Sequence, residues 1–105
     1  MDPKYIGAAT ERIEEKLRVL RHLTYEEVAE LPETDGAEVT IADQRVSLTV
    51  FRYSADASNG WILVVVQAAK PTVLGVATRH IERGLLFSPD GSVRDATELE
   101  LRDAG

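Results

Sequence analysis

The sequence predicts a single α+β domain: an N-terminal amphipathic helix packed on a mostly antiparallel sheet of three to five strands, with a short helix at the C-terminus. Three observations predict it. Apolar residues recur at spacings of three and four over the first twenty positions, then at a spacing of two from Glu38. The stretches between these periodic runs are short, as antiparallel neighbours require. The 105 residues are 44% apolar and 29% charged, with no internal repeat and no linker-like stretch, which fits one domain spanning 1–105.

Ile6, Ala9, Ile13, Leu17 and Leu20 mark the buried stripe of the first helix, placed from Pro3 to Arg21, and Glu11, Arg12, Glu14, Glu15, Lys16, Arg18 and Arg21 fill the solvent side. Pro3 suits a first turn because its missing N–H has no helical partner there, and Glu14 with Arg18 forms an acid-before-base i,i+4 pair. Thr24 followed by Glu27 fits a capping box, so a short helix is expected from Tyr25 to Glu30, ended by Pro32.

Val39 and Ile41, a turn at Ala42-Asp43-Gln44, and then Val46, Leu48 and Val50 alternating with polar residues read as two strands. Ser54 to Gly60 is small, polar and closed by Asn-Gly, which reads as a loop. Trp61 to Val66 is the strongest strand, and its apolar residues on both faces make it central. Pro71 interrupts the pattern. Val76 to Phe87 is then extended, either as one strand bent by a bulge at Gly84, the preferred reading, or as two short strands turning at Glu82-Arg83-Gly84. Ser88-Pro89-Asp90-Gly91 is a turn, and Asp95 three residues before Glu98 suggests the cap of a final short helix.

Composition excludes several functions. Twelve basic against eighteen acidic side chains give a net charge of −6, which opposes binding to a phosphate backbone, so nucleic acid is not an expected partner. The longest apolar run, Trp61 to Val66, is far below the roughly 20 residues of a membrane-spanning helix, and Met1-Asp2-Pro3-Lys4 lacks an apolar signal-peptide core, so no signal peptide is expected. A soluble, cytoplasmic protein with no membrane association is the expectation. Arginine outnumbers lysine nine to three amid abundant alanine and valine, a composition that reads as bacterial. The absence of cysteine removes disulfides, thiolate nucleophiles and cysteine-ligated metals.

Phosphate-loop, dinucleotide, zincin and nucleophile-elbow motifs are all missing. His22 falls just past the first helix, where an imidazole can serve the last carbonyls. With His22 and His80 as the only imidazoles, no metal site and no cofactor are expected. Of the serines, Ser54 and Ser58 fall in a loop and Ser88 and Ser92 flank a turn, and nothing in the placement of these or of Ser47 favours a triad. From Glu26 to Asp43 the chain carries Glu26, Glu27, Glu30, Glu33, Asp35, Glu38 and Asp43 without one basic residue, a segment that is either a solvated connector or a docking surface for a basic partner.

Strand alternation supplies the candidate site. If the first helix covers Val46, Leu48, Val50, Ile62, Val64 and Val66, then Trp61, Leu63, Val65 and Gln67 join Thr49, Thr78 and His80 on the opposite face, an apolar stripe in a polar rim. Such a stripe is covered by the C-terminal segment or by another chain. The expected function is therefore a non-enzymatic protein-interaction module that docks a protein partner or self-associates through this face. The alternative is a small-molecule-binding or catalytic domain using His80 and Glu82 on the same face, which requires an enclosed concavity beside His80.

Overall fold

The computed structural model of the chain describes residues 3–56, 60–70 and 80–104. Its elements run α1 (Pro3–Leu20), α2 (Tyr25–Ala29), β1 (Thr34–Ile41), β2 (Gln44–Asp56), β3 (Trp61–Ala69), β4 (His80–Phe87), β5 (Val93–Asp95) and α3 (Glu98–Ala104). The five strands form one antiparallel meander in the order β1-β2-β3-β4-β5. This is the α+β architecture that the two periodicities imply.

Helix α1 lies across one face of the sheet. Tyr5, Ala9, Ile13, Leu17 and Leu20 are buried against Val46, Val50, Ile62, Val64, Val66, Leu85 and Phe87. The stripe differs from expectation at its start: Ile6 is 42% exposed, and Tyr5, one turn before Ala9 on the same line, is buried instead. Lys70 Nζ sits 4.3 Å from the centre of the Tyr5 ring, and burial raises the phenol pKa above its usual value near 10. Glu14 turns away from its helical neighbour Arg18 and pairs with Arg83 of β4 at 3.3 Å, so this charge ties α1 to the sheet.

Helix α2 has the expected capping box, with Thr24 accepting from the Glu27 N–H and the Glu27 carboxylate accepting from the Thr24 N–H. The Tyr25 hydroxyl donates to the Gly60 carbonyl, which pins α2 beside the end of the β2–β3 connection. Both strands of the first hairpin are longer than their alternation suggested. β1 begins at Thr34 rather than Glu38, because an exposed edge strand needs no apolar residues over its first half. β2 continues past Val50 through Tyr53 into residues read as loop. Ala42 and Asp43, at φ 49° and 62°, make the tight two-residue turn between them.

The bulge expected at Gly84 is absent. β3 and β4 pair without a register shift from Ile62↔Phe87 to Ala69↔His80, with Gly84 opposite Val65. Residues 76–79, which were expected to begin this strand, lie outside the described residues. The Ser88 turn forms as expected, with Gly91 N–H donating to the Ser88 carbonyl and the Asp90 carboxylate accepting from Ser92. Those bonds hold the Asp90 carboxyl below its usual pKa. The final cap lies two residues later than expected: Thr97 and Glu100 exchange side-chain and backbone hydrogen bonds, not Asp95 and Glu98.

Candidate functional site

The strand register fixes the second face of the sheet, since directly paired residues share a face. Thr49 pairs with Gln67 and Gln67 with Glu82; Phe51 pairs with Val65 and Val65 with Gly84; Tyr53 pairs with Leu63 and Leu63 with Leu86. His80, opposite Ala69, lies one step beyond Glu82 on the same face. Thus Trp61, Leu63, Val65, Gln67, Thr49 and His80 share the surface on which their alternation put them, and Thr78 lies outside the described residues.

Two side chains at the centre of this face are closed off from within. Leu63 and Val65 are 2% and 3% exposed, because they form a second small core with Leu86 under Ala96 and Leu101. Helix α3 is held there by three devices. The Ala96 N–H donates to the Gly84 carbonyl at 2.9 Å. The Arg94 guanidinium grips both oxygens of Glu100 at 2.8 and 2.7 Å. With the Thr97 N–H, this grip brings the Glu100 carboxyl from 4.5 to about 2. Third, Gly84 leaves room for Leu101: a Cβ there would stand 2.8 Å from Leu101 Cδ2 and 3.0 Å from the Val64 carbonyl.

Beyond the cover, the face is aromatic. Phe51 and Tyr53 stack with ring centres 6.1 Å apart, and both remain half-buried, as does Trp61. The Arg94 guanidinium lies 5.6 Å from the centre of the Trp61 ring, so the cation that anchors α3 also borders the aromatic strip. Phe51 and Tyr53 lie past Val50, where the aliphatic alternation that marks the second strand in the sequence ends. The signal was present, since Thr49, Phe51 and Tyr53 continue the spacing of two.

His80 and Glu82 do meet, with Nε2 3.7 Å from Oε2, but their side chains are 47% and 31% exposed. The depression beside Glu82 is a shallow, open surface shared with Glu98, Leu101 and Arg102, and His80 does not line it. A narrower cleft of about 180 Å³ separates α1 from α3 at the β4 edge. Its Arg21 is paired with Asp95 at 2.7 Å and its Arg83 with Glu14 at 3.3 Å, which makes it a seam of ion pairs between elements. Among the described residues no cluster of histidine and carboxylate side chains could hold a metal, and no helix is long and apolar enough to cross a membrane. No family model, curated protein or solved structure matches the chain.

Proposed function

We propose that the protein is a non-enzymatic interaction module that docks a protein partner, or a second copy of itself, through the part of the second face that α3 leaves open. The observation that carries this reading is the half-buried strip of Phe51, Tyr53 and Trp61, three of the six aromatic residues of the chain, on one face beside the rim residues Thr49 and Gln67. Aromatic side chains supply large contact area at low conformational cost and are the usual anchors of protein interfaces. Leu63 and Val65 then act as the floor beneath the strip, supporting it without touching a partner.

The test is the double variant Phe51→Ser/Tyr53→Ser. It is expected to fold, since both rings are partly exposed, and to lose association measured by light scattering over a concentration series and by co-purification from the source cell. A variant that folds and keeps every association of the parent contradicts the reading.

A further inference from the structure

The two edges of the sheet are treated differently. β5 is three residues long and is followed at once by α3, so the outer edge on that side is short. β1 is eight residues long, contains no proline, pairs with β2 in unbroken register, and is the terminal strand of the order. Proteins ordinarily blunt such an edge with a bulge, a proline or charged side chains, lysine above all, because its free N–H and C=O groups template another strand. β1 carries no bulge, proline or lysine, and its one guard is the acidic charge of Asp35 and Glu38, which turns away an acidic strand and admits a basic one.

The backbone phase of the edge follows from the turn. A two-residue hairpin closes on a hydrogen-bonded pair, here Ile41 and Gln44, so Val39, Ala37 and Asp35 also bond to β2. The Arg52 N–H donating to the Glu33 carbonyl at 3.0 Å continues that phase. The outward-facing groups therefore belong to Thr34, Gly36, Glu38 and Thr40, four donors and four acceptors in a row.

The charge of this edge selects its occupant. Glu33, Asp35, Glu38 and Asp43 run along it, and all of β1 from Thr34 to Glu38 is exposed. Of the cations nearest it on β2, Arg52 is turned away, its Nε donating to the Leu31 carbonyl at 2.7 Å, and Arg45 meets Glu38 at 3.5 Å in an exposed pair whose carboxylate keeps room for a second base. A second copy would bring an identical acidic row against the first, and like charges on paired strands repel. We infer that β1 is a strand-addition site for a basic, extended segment of a partner protein, with basic residues three positions apart to meet Asp35 and Glu38. The inference extends the interaction reading to a surface distinct from the aromatic strip.

The test is an amide NMR titration of the full chain with two synthetic peptides, Thr-Lys-Val-Thr-Arg-Val-Thr and its counterpart with glutamate at both basic positions. The basic peptide is expected to shift the amides of Thr34, Gly36, Glu38 and Thr40 most and to slow their hydrogen exchange at least about tenfold, as pairing of free strand amides does. Ala37 and Val39, already bonded to β2, should keep their rates. The acidic peptide should do neither. Asp35→Lys/Glu38→Lys, with Glu38→Gln as the milder variant if the double change disturbs folding, should weaken the basic peptide about tenfold for the double change and less for the single one. Four results would overturn the inference: no response to the basic peptide, equal response to the acidic one, shifts centred on Phe51, Tyr53 and Trp61, or protection of the four edge amides in a peptide-free dimer. The third of these would leave the aromatic docking surface standing, and loss of that surface would leave the edge site untouched.

Discussion

Replacing Gly84 with alanine tests the seat of α3 directly. In an ordinary strand this change stabilises by about 0.4–1 kcal/mol, because alanine has less unfolded-state freedom to lose. At Gly84 the new Cβ meets Leu101 Cδ2 at 2.8 Å, the Val64 carbonyl oxygen at 3.0 Å and Ala96 Cβ at 3.3 Å. Leu101 can swing away, but only by uncovering Leu63, Val65 and Leu86, and the Val64 backbone in the central strand cannot yield freely. Overpacking of this kind costs about 1–3 kcal/mol, which lowers the melting temperature of a domain this size by about 4–15 °C. Thermal and urea melts followed by circular dichroism give the number. Leu101→Ala alone should also destabilise, but in the double variant the 2.8 Å contact is gone, so the combined cost should fall short of the sum by about 1 kcal/mol. A Gly84→Ala protein as stable as the parent, or costs that simply add, would refute the close seating of α3 on Gly84.

Three further outcomes are expected. Leu17→Ala removes a side chain that is 3% exposed between α1 and the sheet and should cost about 2–5 kcal/mol in a urea melt, against about 1–2 kcal/mol for the half-buried Leu48 on the same face. The Glu100 carboxyl is held at about 2 by Arg94 and the Thr97 N–H, below its ordinary 4.5, so its contribution to stability is complete above pH 4.5 and is lost as pH falls toward 2. Acid melts of Glu100→Gln should be flatter than those of the parent across that window, and parallel curves would contradict the pairing. Tyr25→Phe removes the bond to the Gly60 carbonyl and should lower stability by about 0.5–1.5 kcal/mol by the same measurement.

What the sequence made legible follows from which residues have only one thing to do. The stripe of α1 and the alternation of Val46, Leu48, Val50, Ile62, Val64 and Val66 are set by burial alone, so the helix-covered face and the central place of β3 could be read directly. Where exposure relaxes that demand the pattern fades: Thr34 to Ala37 carry no apolar alternation because β1 is an edge, so alternation marks the strand only from Glu38, four residues past its start. Gly84 looked like a bulge because strand glycines often mark one, whereas its reason lies seventeen positions on, in Leu101. Thr97 and Asp95 compete as caps with glutamates at the right spacing for each, and the three-residue β5 takes Asp95 out of the competition. Alternation places Trp61, Leu63, Val65, Gln67, Thr49 and His80 on one face, but which half of that face α3 covers depends on tertiary placement that no local period encodes.

The docking reading is tested most directly by a photo-crosslinking amino acid placed at Tyr53 on the aromatic strip and, as control, at Glu11 on the solvent side of α1. Irradiation in the source cell should give discrete adducts from position 53 and none from position 11, and the same adducts should disappear when Phe51→Ser is added. No adduct from position 53, or equal adducts from both positions, would contradict the claim that this strip is where the protein meets its partner.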